Sequence, residues 1–92
     1  MWPCICRVRS YENGVFLIGA GLTGKAALDK KEKFAGQSLV TSPHGDILDH
    51  LGEEEGILVT EIDLKMIEDA RRQRFSMRDR RPELYGIITA LQ

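Results

Sequence analysis

The stretch Ile57-Leu58-Val59-Thr60-Glu61-Ile62-Asp63-Leu64-Lys65-Met66-Ile67 constrains this chain more than any other. Its opening residues are mostly apolar or β-branched, which suits an extended strand. Asp63 is a suitable N-cap, and from Leu64 the apolar positions recur at helical spacing through Ile67 and Ala70 to about Arg74. A buried strand therefore feeds directly into a helix. The residues before it must supply strands to pair with it, led by one helix. The residues after it form a basic, turn-rich tail.

Those earlier residues divide cleanly. Pro3 can sit in a first helical turn, where its missing N–H costs nothing. Cys4, Val8 and Tyr11 then fall on one helical face, and Asn13-Gly14 is a stop signal. A helix is expected over 4–12. Val15-Phe16-Leu17-Ile18 is continuously apolar, as in a strand covered on both faces. The span 25–33 reads as a charged loop or a frayed helical turn. Ser42-Pro43-His44-Gly45-Asp46 is a strong turn between two further strands, because Pro43 presets φ and Gly45 supplies a positive one. Strands are expected at about 14–19, 37–42, 46–51 and 57–62, with a second helix over 64–74. Pro82 and Gly86 are expected to break helical continuity in the tail, 75–92.

Ninety-two residues make one domain at most, with a small core. The net charge of −1 gives no bulk attraction to nucleic acid or to a membrane surface. Charge is uneven, however, with an acidic first two-thirds and a basic last third. No apolar run approaches the roughly 18 residues of a membrane span. Nothing at the N-terminus has the charged lead and apolar core of a signal peptide, so none is expected. Cys4 and Cys6 stand two apart, a spacing that suits neither a disulfide framework nor a zinc pair. A reducing, cytoplasmic setting is the expectation.

Four constellations carry possible chemistry, and each has a plainer reading. Gly21-Leu22-Thr23-Gly24-Lys25 follows an apolar strand, like a loop that cradles phosphate. It lacks a Gly five before Gly24 and a Ser or Thr after Lys25, so an ordinary strand-end loop is the stronger reading. Cys4 or Cys6 as a nucleophile, activated by His44 or His50, competes with a pair of inert helical thiols. His44, Asp46, Asp49 and His50 contain metal-ligand types, yet they straddle a turn, where polar residues are expected anyway. Arg71, Arg72, Arg74, Arg78, Arg80 and Arg81 could meet a phosphate backbone, but Glu68, Asp69, Asp79 and Glu83 are interleaved with them. Arg–carboxylate packing fits that mixture better. Arg78, Asp79 and Arg81 are expected to form one salt-bridged cluster. No residue is assigned a catalytic, cofactor-binding or metal-binding role.

The ordered series of segments is more specific than any single motif. Arg9-Ser10-Tyr11-Glu12-Asn13-Gly14-Val15-Phe16-Leu17-Ile18-Gly19-Ala20 resembles the helix-to-strand step of the carbon–nitrogen hydrolase (nitrilase/amidase) superfamily. Phe34-x-Gly36-x-Ser38 and Pro43-x-Gly45-x-Ile47 are similar to the hairpin that follows it. Glu54-Glu55-Gly56-Ile57-Leu58-Val59-x-Glu61-Ile62-Asp63-Leu64 is similar to its strand and last helix. Arg78-Asp79-Arg80-Arg81-Pro82-Glu83-Leu84-Tyr85-Gly86 looks like its C-terminal signature. The resemblance covers nearly the whole chain, in order.

It implies an α/β fold, part of an α-β-β-α sandwich, with one half-sheet of about four strands, two helices and an extended C-terminal tail. It also implies hydrolysis of non-peptide C–N bonds by a Glu base, a Lys and a Cys nucleophile, with no metal or cofactor. All three of those residues lie upstream of the matched region in the family. Ile5 and Cys6 stand where an acidic residue and an Arg would follow a nucleophilic Cys4, and Glu12 matches a structural Glu rather than the base. Gly21 replaces the Asn often found after Gly-Ala in this loop. The chain therefore reads as a C-terminal segment, silent alone, that self-associates or joins an intact relative. A stand-alone interaction module built on the same half-fold is the alternative. No nucleic-acid or membrane partner is expected.

Overall fold

The computed structural model describes residues 1–24 and 33–90. Helix α1 spans Trp2–Asn13, with Pro3 in its first turn. It ends where Gly14 turns left-handed at φ 62 and ψ 44, returning its N–H to the last carbonyls of the helix. The chain then crosses into an antiparallel sheet of three strands, β1 Leu17–Gly19, β2 Leu39–Thr41 and β3 Ile47–His50, in the order β1-β2-β3. Each strand is shorter than the span expected for it, at 14–19, 37–42 or 46–51. The capping glycine and Val15 occupy the approach to β1, Gly36 and Gln37 take positive φ just before β2, and Ser42 opens the turn after it.

That turn closes as its residues dictate. Gly45, at φ +85, donates to the Ser42 carbonyl, and the Ser42 N–H reaches the Asp46 carbonyl at 2.8 Å. Leu17 pairs with Thr41 and Ile18 with Val40. On the other side Val40 pairs with Asp49 and Thr41 with Ile47, which leaves Leu48 as a bulge.

Helix α1 covers one face of this sheet. The hydroxyls of Ser10 and Thr41 hydrogen-bond to each other in that buried layer, and Leu39, two residues from Thr41, shares its face. The Trp2 indole N–H donates to the Gln37 carbonyl at 3.0 Å. Val40 points to the opposite face, where its cross-strand neighbour Ile18 is 74% exposed. Cys6, Leu39, Val40, Pro43 and Ala70 are the buried apolar side chains among the described residues.

Helix α2 covers Lys65–Gln73, with the Asp63 carboxylate accepting from the Lys65 N–H at 3.0 Å. Arg74, at its end, ties it back to α1 and to the β2–β3 turn, donating to the carbonyls of Tyr11 and Pro43.

Several expectations are corrected. The segment 57–62 forms no strand. A strand exists only with a partner, and the sheet of described residues closes at β3 without reaching it. Its side chains still alternate as an extended chain requires: Ile57 and Val59 face solvent, while Leu58 and Thr60 are half-buried.

The tail is not simply extended. It holds a 3-10 turn, Pro82–Leu84, and a short helix α3, Gly86–Thr89. Gly86 opens that helix instead of breaking one, since glycine's entropic cost falls mainly on helix interiors. Within the tail Arg78 pairs with Asp79 at 3.1 Å and Arg81 with Glu83, so the expected single cluster is two separate pairs. Glu83 is the nearer acceptor for Arg81, and the guanidinium holds its carboxyl below the usual carboxylate range.

The assembly is thin and open. It measures 51 × 39 × 17 Å with a radius of gyration of 17.5 Å, against about 12 Å for a compact domain of this length. Its accessible surface is 7556 Å², where a folded monomer of this mass exposes about 5,400 Å².

Candidate functional site

Two loops cross closely at one end of the sheet. Gly21 passes so close to the 34–38 loop that a Cβ on it would lie 2.0 Å from the Gly36 carbonyl oxygen. Glycine is therefore required there. The crossing is laced by hydrogen bonds. The Gly36 N–H reaches the Leu22 carbonyl at 2.8 Å, the Phe34 N–H the Gly24 carbonyl at 2.8 Å, and the Gly21 N–H the Ser38 hydroxyl at 2.9 Å.

Gln37 holds the centre of this arrangement. Its φ of 59 is left-handed, a conformation that costs a non-glycine residue free energy and persists only where surrounding contacts enforce it. Those contacts are present: its N–H donates to Gly52 at 2.9 Å and its carbonyl accepts from Trp2.

Gln37 separates two clefts. One, of about 440 Å³, is bounded by Trp2, Leu22, Phe34 and Gln37 and is lined by no titratable group among the described residues. The other, of about 330 Å³, lies between Pro3, Leu39, Ile47, His50 and Leu51. Both are walled mainly by apolar side chains. Among the described residues they bring together no acid, base and nucleophile.

The residues singled out from the sequence are scattered. Cys6 is buried between α1 and the sheet, and that burial pushes its thiol pKa up, away from the thiolate a nucleophile needs. Cys4 is exposed on the outward side of α1, beside Met1, Ile5 and Val8. His44 and Asp46 belong to the β2–β3 turn, whereas Asp49 and His50 lie on β3. Among the described residues no three His, Cys, Asp or Glu side chains gather as a metal-ligand set.

Of the Gly21–Lys25 loop, residues 21–24 take part in the crossing, and Lys25 lies outside the described residues, as does most of the 25–33 loop. Glu12 forms a surface pair with Arg9. Arg72 reaches Glu68 and Asp69 along α2, and Arg71 donates to the Asn13 carbonyl at 3.4 Å. Two contributors escaped sequence reasoning. Trp2 stands before the helical pattern that defined α1, and Gln37 sits at a left-handed position that only the preceding Gly36 hinted at.

Comparison with known proteins gives one consistent answer. A model of the carbon-nitrogen hydrolase family matches residues 1–72. The chain is 34% identical over 70 residues to a protein named hydrolase in agr operon from Staphylococcus aureus, covering 76% of this chain and 26% of that one. It is 33% identical over 88 residues to human omega-amidase NIT2, covering 94% of this chain and 30% of that one. To the 2-oxoglutaramate amidase of Bacillus subtilis (strain 168) it is 34% identical over 84 residues, or 91% and 31% of the two chains. Among solved structures, a carbon-nitrogen hydrolase from Helicobacter pylori G27 superposes with a TM-score of 0.81 at 30% identity. That match covers 99% of this chain and 33% of that one. The chain thus spans roughly a third or less of the length of the relatives it matches.

Proposed function

This chain belongs to the carbon–nitrogen hydrolase family, and from that premise we propose that it is the C-terminal part of a hydrolase acting on a non-peptide C–N bond. Amides come first among its substrates, with carbamoyl compounds and nitriles as the wider class. The named amidases among its relatives support that order. One observation carries the reading: almost the whole chain superposes on a third of a solved family member.

In this reading the segment contributes the loop crossing around Gln37 and its two apolar clefts as one wall of a substrate site. The Glu, Lys and Cys of the chemistry belong to the remainder of the fold, so this segment alone turns nothing over. Attack on an amide needs an activated nucleophile and donors for the oxyanion. Cys6 is buried with a raised pKa, and Cys4 stands on the outer face of α1. The partner is an intact relative or a second copy, and the compartment is the cytoplasm, where two free cysteines stay reduced.

The test is an assay of the purified chain against a panel of amide, carbamoyl and nitrile substrates. No turnover is expected. Turnover lost on Cys4→Ala or Cys6→Ala would overturn the reading.

The second reading is an interaction module built on the same half-fold, and the outer face of α1 favours it. Met1, Ile5 and Val8 are 95%, 45% and 50% exposed on one side of a helix whose other side packs on the sheet. An in-frame upstream sequence encoding the missing Glu, Lys and Cys would decide for the hydrolase. A ribosome-binding site immediately before Met1 would decide for the module.

A further inference from the structure

We propose that Asn13 is a site of spontaneous deamidation, held in check by the docking of α2 against the last turn of α1. The reaction needs only water, and the inference is independent of the function proposed above.

Asn13 is the only asparagine in the chain, and a glycine follows it. Asparagine is a thermolabile residue, most of all before glycine, which has no Cβ to keep its nitrogen from the side chain. The Gly14 nitrogen gives its proton to solvent and forms a bond to Asn13 Cγ. The Cγ–Nδ2 bond breaks, and ammonia leaves with a proton from solvent. One water then opens the five-membered imide that remains. Cleavage between Cγ and the nitrogen gives aspartate. Cleavage at the main-chain carbonyl gives isoaspartate, with one extra carbon in the backbone. Either product carries a new carboxylate, and the departure of ammonia makes the change permanent.

Three restraints oppose this reaction in the folded chain. First, Asn13 Nδ2 donates to the Arg9 carbonyl at 2.9 Å. That bond turns the side chain back along the helix, away from the nitrogen that must attack it. Second, the Gly14 N–H donates to the carbonyls of Ser10 and Tyr11, so its nitrogen is aimed into the helix and keeps its proton.

Third, α2 closes over this turn. The Arg71 side chain lies against Gly14, with its Cγ 3.2 Å from where a Cβ would stand, and its guanidinium donates to the Asn13 carbonyl at 3.4 Å. Arg74 donates at 3.2 Å to the Tyr11 carbonyl, which also accepts from Gly14. Asn13 itself is exposed, so water reaches it once the turn opens. Helix ends open far more readily than helix centres. An α2 that lets go removes the outer restraint, and the event is recorded as a lasting acid at position 13.

The experiment follows the full 92-residue chain during incubation at neutral pH. Trypsin releases the segment Ser10 to Lys25, whose mass reports conversion of amide to acid. Labelling by an isoaspartyl methyltransferase identifies the isoaspartate. The same chain unfolded in guanidinium chloride sets the unrestrained rate. The folded chain is expected to convert about tenfold more slowly or less. Arg74→Ala, which removes a tie to α2 without altering Asn13 or Gly14, is expected to convert at a rate between the two while keeping its helix signal. Low urea, at concentrations that leave the helix signal of the parent chain intact, is expected to raise the parent rate as well. Asn13→Gln abolishes the mass gain, since the larger ring it would need closes far more slowly.

Equal rates in the folded and unfolded chain overturn the proposal. So does a parent rate that low urea leaves unchanged, an Arg74→Ala variant that keeps its helix signal yet converts no faster than the parent, or an unfolded chain that does not convert. Loss of the helix signal in Arg74→Ala leaves the decision to the urea series, which needs no variant.

Discussion

The Arg74 guanidinium lies 4.0 Å from the centroid of the Tyr11 ring and also donates to the Tyr11 carbonyl, at 3.2 Å. One side chain from the end of α2 thus meets the last turn of α1 through both its ring and its backbone, and reaches the Pro43 carbonyl as well. Arg7, from the middle of α1, donates to the Gly45 carbonyl at 2.7 Å on the same turn. These arginines act as structural ties between helices and hairpin. A phosphate-binding role would have left them free.

Arg74→Ala is expected to cost about 1–3 kcal/mol, since it removes hydrogen bonds from a charged donor and a cation–π contact together. Arg74→Lys recovers only part of this, because an ammonium cannot present a planar fork to two carbonyls while stacked on a ring. Chemical denaturation of the three proteins measures it. An unchanged midpoint for Arg74→Ala would show that α2 is held by other contacts.

The Ser10–Thr41 hydroxyl pair sits in the layer between α1 and β2, with both residues fully buried. Ser10→Ala leaves the Thr41 hydroxyl without its partner and is expected to cost about 1–3 kcal/mol. Adding Thr41→Val removes the stranded group, and the double variant regains most of that loss. A double-mutant cycle checks it. Strictly additive losses would contradict the pairing.

The two cysteines are expected to react at very different rates. Cys4 is exposed, whereas Cys6 is buried and its pKa is pushed up by that burial. Alkylation by iodoacetamide followed by mass spectrometry is expected to label Cys4 first. Cys6 is labelled only as the protein opens. The raised pKa also fixes the sign of a pH effect. The folded state keeps the Cys6 proton where the unfolded state has released it. Its contribution is therefore present in full below the unfolded thiol pKa and is lost as pH rises through the folded one. Cys6→Ser is expected to flatten that alkaline loss.

The parts of the fold legible in the sequence are those fixed by local chemistry. Asn13-Gly14 ends α1 because the left-handed cap needs glycine, and Ser42 to Asp46 turns because Pro43 and Gly45 leave little else. The family was legible for the same reason, since its ordered segments carry these local signals in a fixed sequence. What was not legible depends on residues distant in the chain. Nothing near Ile57 says whether a partner strand is present, so the composition of a buried strand predicted a strand that the structure leaves unpaired. Gln37 owes its strained φ to Trp2 and Gly52, both far from it in sequence. The tail pairs were misjudged more simply, because Arg81 had two acids within reach and the turn at Pro82 brought Glu83 to it.

The central claim is that this chain is one part of a larger fold and is not complete as a monomer. Fully burying a Val, Leu, Ile or Phe side chain is worth about 1.5–3 kcal/mol. Ile18, Ile57, Val59 and Ile87 are instead 74% to 90% exposed, a loss comparable to much of a typical domain's stability of about 5–15 kcal/mol. Light scattering over a dilution series, with denaturation followed in the same samples, tests the claim most directly. A mass above the 10.4 kDa of one chain is expected, falling on dilution, with a broad unfolding transition. A compact species of 10.4 kDa at micromolar concentration, unfolding in one sharp cooperative step, would contradict it.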